Sequence, residues 1–239
     1  MSADPKWLIY ERIVAAMENE NREVEFSVTR NAKIKGFCSE QLRQVDILVD
    51  ARWEQDLSHR TIVDAKLRKR KIDIKEVESF LGMMDDCRAD RGILYCSSGF
   101  TKGAKKRARG SLRLIPFAPD FEDDSFMLSF NGCTGQCSSL PMQDRGWVLW
   151  DSHLAWAIDG RGVFIKTGKC DLCHNFVVEC AGCAKTMTIQ EYTLSTCACG
   201  YNFTSGEGYV DKDEKDIVNY LLLIMPNMPP VVLDSVWLT

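Results

Sequence analysis

The sequence predicts an α/β fold in its first half, a mixed β-sheet flanked by helices, followed by a smaller β-rich domain organised around cysteines. Three observations predict it. The short apolar runs VDILV at 45–49, TIVDAKL at 61–67 and RGILYC at 91–96 have the length and composition of buried strands. Segments before and between them carry apolar residues at helical spacing. Six cysteines in close-set pairs then fall between Cys170 and Cys199.

In order, residues 6–17 place Trp7, Ile9 or Tyr10, Ile13, Val14 and Met17 at the spacing of an opening amphipathic helix that carries Glu11. A strand at 23–29 follows, with Val24, Phe26 and Val28 alternating against polar neighbours. Past a connector containing Gly36 come the strands at 45–49 and 61–67, separated by a polar loop at 54–60. Val77, Phe80, Leu81 and Met84 set a second helix, 74–88, against the sheet. The strand at 91–96 ends in a turn whose Thr101 caps a basic third helix starting at Lys102. Helix, strand, strand, strand, helix, strand, helix is the order of an α/β sandwich, its last strand added by a crossover.

Pro116, Pro119 and the acidic run 120–124 mark a linker, so the expected domains are 1–115 and 116–239. Beyond it, residues 147–156 and 162–165 read as strands around a hairpin turn at Asp159-Gly160. Residues 212–223 read as a short helix, and the chain closes on a proline-broken tail.

Composition narrows the function. At 45% hydrophobic residues the 239-residue chain can build its own core. The apolar stretch 220–225 is far short of the roughly 20 residues a membrane span needs, and the N-terminus has no basic start followed by an apolar run. The expectation is a cytoplasmic protein with no membrane partner. Through residue 115 Lys and Arg outnumber Asp and Glu 23 to 18, whereas beyond it they are outnumbered 7 to 16. Such a split equips the first half alone to meet a polyanion, unless surface charge has segregated by chance.

Asp46 sits inside one apolar strand, and Asp64 and Lys66 sit two apart, hence on one face, of the next. A carboxylate in an apolar strand is costly unless a cation or hydrogen bonds compensate it. Two of them, on strands read as neighbours, can share Mg²⁺ through oxygen ligands, with the lysine orienting an attacking water. On these residues alone, ordinary ion pairs of Asp46 and Asp64 with Arg43 and Lys66 explain the pattern as well.

The runs YERIVAAM, RQVDILV, TIVDAKLRKRKIDIKEVESFLGMMDD and RGILYCSSGFTKGAKKRA resemble, over about 100 residues and in order, the catalytic domain of Mrr-like restriction endonucleases of the PD-(D/E)xK nuclease superfamily. The resemblance implies a restriction-endonuclease-like fold and a catalytic set of Glu11, Asp46, Asp64 and Lys66. It implies Mg²⁺ or Mn²⁺ on Asp46 and Asp64, hydrolysis of DNA phosphodiesters with RNA also open, and restriction or defence against foreign DNA. Val45 stands where the superfamily's name puts a proline, and Asp64 where many relatives have Glu or Gln; the second change keeps a carboxylate. The alternative is a non-catalytic nucleic-acid-binding or regulatory protein that retains a nuclease fold. Arg68, Lys69 and Arg70 leave the second strand, and Lys102, Lys105, Lys106 and Arg107 gather on the third helix, where they can bind successive phosphates. A chain with one site needs two copies to cut both strands, which points to a homodimer.

Cys170-x-x-Cys173, Cys180-x-x-Cys183 and Cys197-x-Cys199 have metal-knuckle spacing, and a zinc-ribbon-like module is expected at about 168–205. Cys180 and Cys183 pair with Cys197 and Cys199 in the zinc-ribbon reading, while Cys170 and Cys173 replace one pair or share a second site. Six thiolates are too many for one tetrahedral Zn²⁺ and too few for two, so the pairing stays open. An iron–sulfur cluster and disulfides are the competing readings. Cys38, Cys87, Cys96, Cys133 and Cys137 read as small buried side chains. A closed, acidic zinc module fits contact with a protein partner or activator better than catalysis.

Overall fold

The computed structural model describes residues 5–53, 59–121, 131–141, 144–158, 161–209 and 217–238. The first half is a five-stranded sheet between helices. α1 (Lys6–Glu20) leads into β1 (Phe26–Lys35), β2 (Leu42–Ala51) and β3 (Thr61–Lys66), followed by α2 (Ile74–Asp86), β4 (Arg91–Cys96), α3 (Lys102–Arg107) and β5 (Leu112–Pro116). The strands lie in chain order, antiparallel from β1 to β3 and parallel from β3 to β5. The sheet is therefore mixed, as the sequence predicts, with α2 and α3 as the two crossovers that parallel pairing requires. β5 is an addition to the expected series.

Burial on both faces explains the apolar runs. Ile47, Val49, Val63, Ile93 and Tyr95 pack with Tyr10, Val14 and Ala15 of α1. Leu48, Ile62 and Leu94, at the intervening positions, pack with Val77, Phe80 and Met84 of α2 and Ala104 of α3. Helix α2 starts at a capping box: Asp73 accepts from the Lys75 and Glu76 N–H groups, and Glu76 accepts from the Asp73 N–H. Thr101 caps α3 as expected, accepting from the Ala104 N–H at 3.2 Å.

The second half is a β-sandwich. β6 (Asn131–Gly132), β7 (Trp147–Ile158), β8 (Arg161–Cys170), β9 (Phe176–Cys180) and β10 (Thr186–Ile189) form one antiparallel sheet in the order β10-β9-β8-β7-β6. β11 (Ser195–Thr196), β12 (Asn202–Tyr209), β13 (Ile217–Ile224) and β14 (Val231–Leu238) form the other. Ile165, Phe176 and Val178 of the first sheet share a core with Phe203, Leu221 and Leu233 of the second. The expected helix at 212–223 is corrected: residues 217–224 are strand β13, whose alternate residues Leu221 and Leu223 are buried and which is held between β12 and β14. The expected tail contributes β14. The Asp159-Gly160 turn, positions 122–124 of the acidic run and positions 54–58 of the polar loop lie outside the described residues.

The halves meet along a seam of buried charge. β14 packs against β1 and α1 against β7. Arg52 Nη1 lies 3.1 Å from Asp151 Oδ2 and 3.0 Å from Asp234 Oδ1, and Lys169 Nζ lies 2.9 Å from Asp234 Oδ2. Further along, Arg12 and Arg30 both pair with Asp171. No helix among the described residues is long and apolar enough to cross a membrane.

Candidate active site

The antiparallel ladder between β2 and β3 runs Val49↔Thr61, Leu48↔Ile62 and Ile47↔Val63 and stops there, although both strands continue. One step further along that register Asp46 faces Asp64. The Ala65 N–H donates to Asp46 Oδ2 at 2.9 Å, so a carboxylate takes a donor at the point where the ladder ends. Lys66, two residues beyond Asp64, brings Nζ onto Asp64 Oδ1 and to 4.0 Å from Asp46 Oδ2. Asp46, Asp64 and Lys66 are thus one cluster at the opening between two strands.

Its electrostatics are those of crowded carboxyls. Burial, a hydrogen bond shared with Asp46 and the Asp46 charge push the Asp64 carboxyl up to about 7, against the opposing pull of Lys66. Asp64 Oδ1 is buried, and apart from the Lys66 ion pair it has no hydrogen-bond partner among the described residues. Two carboxylates clustered beside one ammonium offer the oxygen donors that a hard divalent cation takes. Glu11 approaches from α1, its Oε2 accepting from Arg30 Nη2 at 2.9 Å. Burial first and the Asp46 charge second raise the Glu11 carboxyl above its usual range, while Arg30 and Lys66 oppose that rise.

The segments that carry the two basic runs are tied together beyond Lys66. β3 pairs with β4 so that Lys66 lies beside Cys96, and Ile72 then bridges to Phe100, which ties the segment after β3 to the start of α3. Arg68, Lys69, Arg70, Lys102, Lys105, Lys106 and Arg107 are all exposed. Arg68 pairs with Glu76 and Arg107 with Glu78; the other five make no ion pair among the described residues.

Two four-cysteine groups occupy the second half: Cys133, Cys137, Cys170 and Cys173, and Cys180, Cys183, Cys197 and Cys199, with all sulfurs of each group within 4.8 Å of one another. Cys133 to Cys173 and Cys137 to Cys170 are 3.7 Å apart, and Cys180 to Cys199 is 3.9 Å. A tetrahedron of sulfurs each ~2.3 Å from a central Zn²⁺ has edges of about 3.8 Å, nearly twice a disulfide bond. The groups therefore fit metal sites. Cys133 and Cys137, expected to be plain buried side chains, are corrected to members of the first group. Their CTGQC spacing was the available signal.

Geometry also shows why the pairs sort as they do. Each Cys-x-x-Cys ends a strand and makes the same turn. Cys170 and Cys180 donate their N–H to the carbonyls of Asn175 and Lys185, and accept from the N–H of His174 and Ala184. His174 and Ala184 have φ of 56° and 53°, the left-handed residue that closes each knuckle. The five residues of β9 separate the two turns by roughly 16 Å. The structure places Cys197 and Cys199 with the Cys180 pair, and Cys133 and Cys137 with the Cys170 pair, so each knuckle has its own group. His174 belongs to neither four-cysteine group.

Residues 19–118 match the family model of the Mrr catalytic domain, described as restriction endonuclease. Asp46, Asp64, Lys66 and all seven expected phosphate contacts fall inside the match; Glu11 lies before it. A solved structure described as a protein of unknown function is 13% identical over 54% of this chain and 69% of its own, with a TM-score of 0.38. A repair endonuclease from Pyrococcus abyssi is 23% identical over 45% of this chain and 46% of its own, with a TM-score of 0.32. Neither likeness is close enough to carry a correspondence of residues. No curated protein matches the chain.

Proposed function

We propose that this chain, whose residues 19–118 match the family model described as restriction endonuclease, hydrolyses DNA phosphodiesters at a divalent-metal centre on Asp46 and Asp64. The observation that carries the reading is the meeting of both carboxylates and the Lys66 ammonium where the β2–β3 ladder stops. Mg²⁺ or Mn²⁺ bound there would activate water and offset charge on the scissile phosphate. Asp46, steadied by the Ala65 N–H, and Asp64 hold the cation. Lys66 keeps the two carboxylates compatible in its absence and orients the attacking water in its presence. Glu11 takes part through the metal or a water. Arg68, Lys69, Arg70, Lys102, Lys105, Lys106 and Arg107 hold successive phosphates, giving affinity without base preference.

In this reading residues 1–115 perform the chemistry, and residues 116–239, with two zinc-bearing knuckle sites, brace or address it through a protein partner. Two copies serve two strands. The family's description supports restriction of foreign DNA as the role, and eleven unbridged cysteines suit the reducing cytoplasm.

Incubating plasmid, linear and single-stranded DNA, and RNA, in Mg²⁺, Mn²⁺ or EDTA tests this. Cleavage is expected only with metal, and Lys66→Ala and Asp64→Ala should each slow it about a hundredfold or more while leaving the fold intact. Undiminished cleavage by both variants would sink the assignment, and binding without cleavage by the unaltered chain would favour the non-catalytic reading.

A further inference from the structure

One part of the buried seam reaches Glu11, whose carboxyl feels the charges of Asp46 and Lys66. Arg30, on β1, extends Nη2 to Glu11 Oε2 at 2.9 Å and Nη1 to Asp171 Oδ2. Asp171 is the residue after Cys170, inside the first knuckle, whose turn is fixed by the Leu172 N–H at 3.4 Å from the Cys170 sulfur. Three further hydrogen bonds hold Asp171 in place. Its N–H donates to the Trp147 carbonyl at 2.9 Å, its Oδ1 accepts from the Trp147 N–H at 2.8 Å, and its Oδ2 accepts from Arg12 Nε at 2.8 Å. The Arg12 guanidinium in turn lies over the Trp147 ring, 4.0 Å from its centroid.

Arg12, Arg30 and Asp171 are each about 95% buried. Charges held this deep are a poor source of net stability, because desolvation cancels most of their attraction. What they do provide is direction: a guanidinium forked between two carboxylates fixes both. Resting on the nuclease reading of Asp46 and Asp64, we propose that Arg30 and Asp171 are positioning residues through which the Cys133, Cys137, Cys170 and Cys173 knuckle holds Glu11 at the nuclease metal centre. The cysteine-rich half is then a working part of the nuclease, since the rigid end of the chain Cys170, Asp171, Arg30, Glu11 lies in that half.

Mn²⁺ titration of the full chain, followed by the electron paramagnetic resonance of the free ion, reads the centre without requiring turnover. Asp171→Asn and Arg30→Gln are expected to weaken Mn²⁺ binding about tenfold, the usual effect of losing a residue that orients a metal ligand. Arg30→Lys keeps a charge in the seam and is the variant expected to fold in any case; it should weaken Mn²⁺ binding about threefold. Arg52→Lys, which disturbs the seam away from Glu11, should leave Mn²⁺ affinity unchanged. Unaltered Mn²⁺ affinity in Arg30→Lys and Asp171→Asn overturns the proposal, as does an equal loss in Arg52→Lys. If the unaltered chain neither binds Mn²⁺ nor cleaves, it is the nuclease reading itself that fails.

Discussion

Asp64 shows what the site costs the fold. Burial and Asp46 push its carboxyl up to about 7 in the folded chain, whereas an unfolded aspartate titrates near ~3.9. Between those values the folded state keeps a proton that the unfolded state has lost. Stability from this group is therefore full below pH ~4 and is lost as pH rises through about 7. Asp64→Asn removes the charge that is costly to bury. In EDTA at pH 8 this variant should be stabler by about 1–2 kcal/mol, less than the whole linkage value because solvent reaches part of the site, and should melt about 2–8 °C higher. Near pH 4 the two should melt together, and the variant should not cleave. Equal melting temperatures at pH 8 would mean that Asp64 is compensated without a metal. Such residues are legible in sequence because a carboxylate inside an apolar strand is anomalous in one dimension. Arg30 is not: a charge in β1 reads as an outward-facing residue, and only the packing of the second half against β1 buries it.

At the scale of elements, legibility follows how local the cause is. β2, β3 and β4 are apolar on both faces, and α2 carries its periodicity and its capping box, so each declares itself. β13 does not, since an apolar run of this length fits a buried helix or strand equally. Its identity comes from β12 and β14, which approach from elsewhere in the chain. The cysteines divide in the same way: the three close pairs are visible as pairs, but their assignment depends on β9 standing between two knuckles. Cys137 lies 33 residues before Cys170 and Cys133 lies 40 before Cys173, beyond any spacing that a knuckle pattern covers. Zinc analysis of the purified chain should give two ions per chain, one for each group. Cys133→Ser and Cys197→Ser should each lower this to one. A Cys133→Ser protein that keeps both ions would remove Cys133 from the first site.

On the scale of the molecule, the seam decides whether the chain behaves as one body or two. Arg52 donates Nε to the Val24 carbonyl at 2.8 Å and Nη2 to the Phe26 carbonyl at 2.7 Å, which anchors it to the first half, while Nη1 reaches Asp151 and Asp234 of the second. Asp234 is fully buried and shares its other oxygen with Lys169, whose Nζ also meets Ser27 of β1. Leu149 of β7 belongs to the same apolar cluster as Tyr10 and Ile47. Unfolding either half alone would forfeit these ion pairs and open the apolar contacts around Leu149 to water, so the two halves stabilise each other. The full chain is therefore expected to melt in a single transition. Arg52→Ala should lower that transition as a whole by about 3–5 kcal/mol, the range for breaking a buried pair on one side. Calorimetry together with near- and far-ultraviolet circular dichroism tests both points. Two resolved transitions, only one of them displaced in Arg52→Ala, would show that the halves fold independently and that the seam merely joins them.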